Sequence, residues 1–416
     1  MKAATLNSVP KRGMTLPLTM AVLLILSLLT MALYEMLGAE RRASGLHLRK
    51  AQAELSAQSG LEYALFQMEH QSAPWRTESL RHTSVDPVVS FEISVQQDGP
   101  FSKVSVRNLG RDSGVAKLEM RGGFRPRNMP AIILLNPSAT LALVGNAKIH
   151  GSIAIKTGNV EYSTNYMQPA GKDASFNGPV LGADWKFWDS ISFHTDVSRH
   201  IFDDLPEKGF CTFDAKDTLP QNVECGTVTL RGDAFCNKCT INAGRVFIKE
   251  RAILDKADVK AKFISLSGTG QASGTFFAQD TLSADLNSVQ KNTIRLCVQG
   301  RKTGSNAYSG SLEINKLNAE QATLMFFGDN WDASLPGISA YISSQSKISG
   351  RIIIHGTLDM HGTLYGALVA WDFSFDESAT RWNGFLKDAT ITADSTQAEL
   401  IPDAIRLGGR AGAEAL

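Results

Sequence analysis

The sequence predicts a mainly β protein with one long N-terminal α-helix, a small antiparallel meander and a larger parallel β-helix, or solenoid. Three features support this prediction: an uncharged apolar run near the start, short alternating segments after it, and a six-residue apolar repeat beyond residue 130. The chain has 416 residues, 35 of them glycine, and a formal net charge of +1. This balanced charge lacks the basic footprint of a nucleic-acid-binding protein, so we expect no nucleic-acid partner.

The first predicted element is a helix over residues 14–70. No residue between Gly13 and Tyr34 is charged, and about 20 apolar residues are enough for a helix to cross the hydrocarbon layer of a membrane. The run is longer than the roughly 7–15 apolar residues of a cleaved secretory signal. Residues 40–69 contain no proline and carry apolar residues at helical spacing. The basic residues before Gly13 predict a cytoplasmic N-terminus.

The apolar run opens with a distinct pattern: basic residues, then Gly13, then Met14-Thr15-Leu16. This pattern resembles the signal of type IV pilins and type II secretion pseudopilins, and SAQSGLEYALFQME at 56–69 is similar to the helix end of PilX-type minor pilins. The resemblance implies that residues 1–13 are a leader peptide. It further implies that prepilin peptidase cuts between Gly13 and Met14, and that the new amine of Met14 is methylated.

Leu18 occupies the position at which major pilins carry a glutamate. In that family the glutamate pairs with the terminal amine of a neighbouring subunit, so the resemblance points to a minor pilin or a GspK-type pseudopilin. Leu16, Pro17 and Leu18 then open the assembly helix, where the missing N–H of a proline costs little. The alternative is a single-span anchor that is never cleaved.

A short meander is predicted over residues 71–128. The segments 91–95, 103–107 and 115–120 alternate apolar and polar residues, with turn residues between them. We expect three antiparallel strands whose apolar face covers the end of the helix.

Residues 129–390 carry the repeat that predicts the solenoid. A spacing of six residues separates apolar side chains in two places, first Leu141, Ala147 and Ile153, then Ile352, Leu358 and Leu364. Six-residue units, three to a turn, are typical of a triangular β-helix, and this region resembles bactofilin-like β-helices. A β-sandwich or a large antiparallel meander is the competing interpretation.

Two segments depart from the repeat. Turn-rich residues from about 157 to 225 predict an insertion packed on the flank of the solenoid. Residues 391–416 are rich in alanine and glycine, and we expect a loosely held tail or a short capping helix.

Five cysteines leave one thiol over, and the sequence alone does not fix their pairing. We predict disulfides between Cys211 and Cys225 and between Cys236 and Cys239. The segment Cys236-Asn-Lys-Cys239 also has the spacing of a redox motif or zinc knuckle. No second C-x-x-C and no nearby histidine pair completes a metal site, so we expect no bound metal.

Trp185, Phe187 and Trp188 are the candidate surface-binding aromatics. They would stack on sugar rings if exposed, or pack against the solenoid if buried. The sequence has no G-x-S-x-G, P-loop or H-E-x-x-H motif. We therefore expect no catalytic residues, no cofactor and no enzymatic activity.

These features predict a minor pilin-like or pseudopilin-like subunit of a type IV pilus or type II secretion-type filament. Its precursor would lie in the inner membrane and then join a periplasmic or cell-surface filament through contacts with other pilins. The β-helix would be displayed for adhesion to a surface glycan or protein ligand. The alternative is a membrane-anchored β-helix protein that binds or cleaves envelope polysaccharide, and a third option is a self-polymerising scaffold.

Overall fold

The structure is a computed structural model, and it describes residues 15–71, 75–83, 90–98, 101–109, 116–125, 129–162, 173–186, 188–193, 201–302, 308–329, 338–377, 380–394, 405–407 and 410–415. The chain is mainly β, with one long N-terminal helix, a small antiparallel sheet and a large parallel sheet. The predicted fold class is therefore confirmed. Two compact units are present, one made of Met1–Glu62, Ser79–Ile93 and Ser105–Leu118, the other of Tyr63–Glu78, Ser94–Val104 and Glu119–Leu416.

Helix α1 spans Thr15–His70. In the first unit its small residues Ala53, Ala57 and Gly60 meet the sheet closely, and a Cβ built on Gly60 would lie 2.5 Å from Cγ1 of Val106 and 2.9 Å from the ring of Phe91. This helix face is apolar but nearly flat, which lets the sheet approach the helix backbone. The sequence predicted that the meander covers the end of the helix. These small residues explain how the sheet can pack so closely on the helix.

The small sheet contains two strands that the alternating pattern did not predict. Its order is β1-β2-β3-β4-β29, with β1 at Thr77–Thr83, β2 at Ser90–Asp98, β3 at Phe101–Asn108, β4 at Lys117–Arg125 and β29 at Arg410–Ala415. Strand β29 pairs antiparallel with β4, from Arg410 opposite Arg125 to Ala415 opposite Met120. The expectation of a loose or helical tail is wrong for these residues, because backbone pairing at a sheet edge needs no apolar side-chain pattern.

The parallel coils contain most of the remaining strands. The first half of the remaining strands comprises β5 Ile132–Leu134, β6 Leu141–Val144, β7 Lys148–His150, β8 Ile153–Ile155, β9 Val160–Tyr162, β10 Ser175–Asn177, β11 Val180–Leu181, β12 Ile191–Phe193, β13 Phe210–Phe213, β14 Asn222–Leu230, β15 Phe235–Asn237, β16 Thr240–Ile248 and β17 Ile253–Gly268, of which β12 lies outside the parallel coils. A short 3₁₀ helix at Trp188–Ser190 precedes β12.

The second half of the strand series runs toward the C-terminus. It comprises β18 Gln271–Gln290, β19 Ile294–Lys302, β20 Tyr308–Ser309, β21 Ser311–Asp329, β22 Ile338–Ile342, β23 Lys347–Met360, β24 Thr363–Glu377, β25 Thr380–Asn383, β26 Phe385–Lys387, β27 Thr390–Thr392 and β28 Ile405–Leu407. Strand β28 pairs antiparallel with β12.

The coils repeat every 18 residues where the chain winds without interruption. Thr227 pairs with Arg245, and Arg245 pairs with Phe263. The inward side chains form a continuous buried ladder of stacked apolar residues: Val223, Ile241, Val259, Phe276, Leu296, Leu324, Ile352, Leu368, Ile132 and Ile153. The six-residue repeat therefore marks the core of the solenoid.

The order of coils in space differs from their order in the sequence. Strand β5 lies between β24 and β8, and β7 lies between β27 and β10, all in parallel. The coil formed by β5, β6 and β7 thus stacks on the C-terminal coil on one side and on the coil that follows it along the chain on the other. Six-residue patterns specify which side chains face inward, but they do not specify which coil is the neighbour.

The predicted insertion at about 157–225 is too wide. Strands β10 and β11 stack on β7 and β8, and β13 and β14 form part of the coils that begin at residue 210. Short strands of two to four residues among glycines and prolines carry too little periodicity to be recognised as coils.

One outer face of the solenoid is apolar and covered. Residues at equivalent outward positions of successive coils are buried: Phe277, Cys297, Met325, Ile353, Val369, Ile133 and Ala154. We call this row the outer ladder. Phe101 and Phe124 of the small sheet pack against it, together with Phe202 and Leu205. The outer ladder is therefore a second core within the larger unit.

Candidate functional site

The first half of helix α1 exposes a continuous apolar surface. Leu18 is 67% exposed, Leu23 is 66% exposed and Tyr34 is 80% exposed, and the residues between them are similarly open. This helix is long and apolar enough to cross a membrane. Burying apolar surface contributes about 25 cal/mol per Å², so lipid or other helices are the favoured surroundings for this segment.

The polar side chains in this apolar stretch satisfy their hydrogen bonds within the helix. The Ser27 hydroxyl donates to the Leu24 carbonyl over 2.8 Å, and the Thr30 hydroxyl donates to the Leu26 carbonyl over 2.9 Å. A hydroxyl bonded to the preceding turn needs no water, which suits a low-dielectric environment.

The residues predicted for processing lie at the start of this helix. Gly13 and Met14 fall outside the described residues, while Leu16 and Pro17 belong to the first turn after Thr15. Leu18 projects as an exposed apolar side chain. Pro17 lies in the first turn, where a backbone N–H would have no acceptor within the helix, so the missing N–H of proline costs little.

The Gly-Leu-Glu-x-Ala-Leu segment lies where the helix meets the small sheet. Gly60 is the point of closest approach described above, and the nearby Ser56 hydroxyl donates to the buried Ser90 carbonyl over 2.9 Å. Glycine and serine at these positions therefore have a packing role. The only sequence signal for this packing role was the resemblance of residues 56–69 to the helix end of PilX-type minor pilins. A glycine inside a helix indicates by itself only that the helix is locally less stable.

Two disulfides lie in the coils between residues 210 and 240. Cys211 is bonded to Cys225 with Cα atoms 6.2 Å apart, and Cys236 to Cys239 with Cα atoms 5.9 Å apart, both within the usual range. Cys297 is fully buried in the outer ladder, and burial raises the pKa of its thiol. That thiol is a packing group, because nucleophilic or metal-binding cysteines need an accessible thiolate.

Trp185 and Trp188 are partly buried against the outer ladder. Their ring centroids lie 5.1 Å apart with the rings edge to face, and the Trp188 indole N–H donates to the Gly182 carbonyl over 2.9 Å. Lys156 lies over the Trp188 ring, with its ammonium 5.4 Å from the centroid. Phe187 falls outside the described residues. The two tryptophans thus contribute mainly to packing.

A different aromatic group is exposed on the solenoid, and the sequence analysis missed it. Phe210 is 87% exposed and lines a groove of about 800 Å³ with the partly exposed Phe247 and Phe263. The rings of Phe247 and Phe263 lie 5.6 Å apart. Lys262 and Glu207 form an ion pair of 3.1 Å at this groove. Only the coil register brings these separated phenylalanines to one face.

A second surface feature is a cationic cleft of about 720 Å³ in the larger unit. It brings together Arg121 of β4 with solenoid residues Lys238, Lys256, Lys291 and Arg295. The sequence signal was the 18-residue interval between Lys238 and Lys256, which equals one coil. Among the residues that the structure describes, no group of three or more His, Cys, Asp or Glu side chains is placed to hold a metal ion.

Comparison with known proteins leaves the fold and these surfaces as the basis for function. No protein-family model, no curated protein and no solved structure matches this chain.

Proposed function

We propose that this protein is a minor pilin-like or pseudopilin-like subunit of a type IV pilus or type II secretion-type filament. The observation that supports the proposal best is the single helix Thr15–His70, whose first half exposes apolar side chains and whose later part packs on a small antiparallel sheet. The later part of this helix packs on the small sheet of the same chain. The first half is left with exposed apolar side chains that can contact lipid or other helices.

Assembly would proceed by exchange of lipid for neighbouring helices. The apolar segment holds the precursor in the inner membrane with its N-terminus in the cytoplasm, and prepilin peptidase removes residues 1–13. The helix then packs among the helices of other pilins or pseudopilins. Van der Waals contact between close-packed helices replaces contact with lipid tails, so this step needs no charged residue at Leu18.

The solenoid would be the displayed module of the subunit in a periplasmic or surface filament. Its core is formed by stacked ladders and does not depend on the helix for its apolar interior. Side chains on its open faces are therefore available to a surface glycan or a protein ligand.

The mass of the membrane-extracted protein tests this proposal. We expect a chain that begins at Met14 and carries one added methyl group, and we expect Gly13→Val to leave residues 1–13 attached. Gly45→Val is the matched control, because Gly45 lies in the same helix with no atom within 4 Å of an added Cβ. An intact leader in cells that process other prepilins would contradict the proposal.

The second candidate function is a membrane-anchored β-helix protein that binds envelope polysaccharide. The exposed Phe210 with Phe247 and Phe263 favours it, since aromatic faces stack on the C–H faces of sugars. For this function we expect binding to neutral oligosaccharides that Phe210→Ala weakens about tenfold, which corresponds to about 1.4 kcal/mol. Equal binding by the variant would exclude this groove.

A further inference from the structure

The cationic cleft lies where strand β4 meets successive corners of the solenoid. Its lining includes Arg121, Lys238, Lys256, Lys291 and Arg295, against the two carboxylates of Asp255 and Asp258. Positive charge is concentrated here in a chain whose formal net charge is only +1. Such a concentration of one sign attracts anionic ligands.

One wall of the cleft is rigid. The Arg121 guanidinium donates to Oδ1 of Asp258 over 2.7 Å and to the Thr275 hydroxyl over 3.2 Å, and its side chain is only 10% exposed. Arg121 and Arg295 both lie over the buried ring of Phe101, at 5.4 and 5.6 Å from its centroid. The two guanidinium groups are thus fixed by packing before any ligand arrives.

The other wall is a row of exposed lysines. Lys238 and Lys256 lie one coil apart at the same corner, where the coil rise is about 4.8 Å, and Lys291 follows further along. Within the described part of the chain these three lysines form no ion pair. Their charges are therefore available to a ligand.

The backbone at this corner favours glycine, yet two coils have lysine. Lys238 has φ 54° and Lys256 has φ 52°, both in the left-handed region that favours glycine. A left-handed backbone conformation is unfavourable for a residue other than glycine, because its Cβ comes too close to the following carbonyl oxygen. Retaining lysine at a strained position is consistent with a role for its charge.

We propose that this cleft binds a linear acidic polysaccharide. Lys238 and Lys256 lie one coil apart in the direction in which the coils stack, an interval similar to the length of one sugar unit, and Lys291 lies on the second coil beyond Lys256. Carboxylates spaced along a uronate polymer can therefore meet these cations. Asn292 and Gln321 at the rim offer amides to sugar hydroxyl groups.

The lining favours a glycan over a nucleic acid. The described lining residues include no aromatic side chain, whereas single-stranded nucleic acids bind through stacking of bases on aromatic platforms. This inference goes beyond the proposed assembly function and concerns only the solenoid and strand β4, so it can fail or succeed without deciding whether the helix enters a filament.

Binding of the detergent-solubilised full chain to polygalacturonate tests the proposal. We expect the triple variant Lys238→Gln, Lys256→Gln, Lys291→Gln to lose about tenfold in affinity, since each exposed ion pair contributes only modestly and three are removed together. The control is Lys186→Gln, Lys249→Gln, Lys347→Gln, which changes the net charge equally at exposed sites outside the cleft. The control should retain its affinity within about twofold.

Three outcomes would overturn the proposal. These are no binding of polygalacturonate by the wild-type chain, equal losses in the two triple variants, and tighter binding of an oligothymidylate than of polygalacturonate. Displacement of polygalacturonate by inorganic phosphate, with the ionic strength held constant, would overturn the proposal as well, because the cleft would then be a site for a single anion. Thermal unfolding of both triple variants checks that the fold is kept.

Discussion

Gly60 shows how one atom controls the contact between the helix and its sheet. An added Cβ at Gly60 would come within 3 Å of Val106 and Phe91, while an added Cβ at Gly45 meets nothing within 4 Å. Alanine is a better helix former than glycine by about 1 kcal/mol. The same substitution should therefore have opposite effects at these two positions of a single helix.

We expect Gly60→Ala to lower the free energy of unfolding by about 2 kcal/mol, because Val106 or Phe91 must shift to admit the methyl group. Gly45→Ala should leave the protein equally stable or raise its stability by up to about 1 kcal/mol. Urea unfolding of the detergent-solubilised chain measures both. A stabilising Gly60→Ala would mean that the helix does not approach the sheet as described.

His355 makes the stability of the solenoid sensitive to acid. Burial lowers the pKa of His355 from 6.5 to about 4. The folded state therefore binds fewer protons than the unfolded state between these values, so the stabilisation is complete above pH 6.5 and is lost as the pH falls toward 4. A shift of this size corresponds to about 3 kcal/mol.

We expect the stability difference between wild type and His355→Gln to shrink by about 3 kcal/mol as the pH falls from 7 to 4. His361→Gln should show the opposite trend. A 2.8 Å hydrogen bond to Asp359 raises the pKa of His361, and its contribution is present below pH 6.5 and lost as the pH rises through the raised value. Urea unfolding across this range measures both, and a pH-independent His355→Gln difference would contradict the burial effect.

At the level of elements, the sequence predicted those segments in which one period persists. The helix Thr15–His70 and the buried ladder of inward-facing solenoid residues have long, regular apolar patterns. Strand β1, TESLRHT, has a single apolar residue, Leu80, and β29, RAGAEA, has no apolar residue larger than alanine, so neither shows the strong alternation of a typical strand. Their positions are set by backbone pairing at sheet edges, which leaves little mark on composition.

The outer ladder breaks the usual rule that outward positions of a solenoid are polar. Lys260 and Phe277 occupy paired outward positions in adjacent coils, and the row continues from Phe277 through Cys297 to Met325. Lys260 is partly exposed, whereas Met325 is fully buried beneath the small sheet and its neighbours. One face of the coil thus changes from solvated to covered along its length.

We expect Met325→Asp to destabilise the protein by more than about 3 kcal/mol, because a carboxylate would be buried without a partner among apolar groups. Lys260→Asp, at an outward position of the same row, should change stability by less than about 0.5 kcal/mol. Thermal or urea unfolding compares the two. A tolerated Met325→Asp would show that the outer ladder is open to water.

At the level of the whole molecule, the candidate sites depend on register that the sequence alone does not supply. Lys238 and Lys256 are one coil apart in sequence, and this interval is a usable signal once a period of 18 is known. Arg121 comes from a different sheet and reaches the solenoid through its hydrogen bonds to Asp258 and Thr275. The exposed apolar helix was predictable because exposure to lipid requires nothing beyond composition and length.

The chain path makes the N-terminal coil depend on the C-terminal one. Strands β6 and β7 pair with β26 and β27, which lie more than 230 residues later in the sequence. In a solenoid each coil contacts only its neighbours, so loss of one coil is felt locally. The early coil therefore completes its pairing only after the last strands of the chain are present.

A chain that ends at residue 377 lacks β25–β29 and tests this dependence. We expect the amides of Ala142 and Lys148 to lose hydrogen-exchange protection by about 10-fold or more, because their acceptors, the carbonyls of Gly384 and Ala389, are absent. Strands β16 and β17 serve as an internal control, since β16 retains β14 and β17, and β17 retains β18. Unchanged protection of β6 and β7 would mean that the early coil is stable without the final one, whereas equal loss in β16 and β17 would mean that the coils unfold as one cooperative unit.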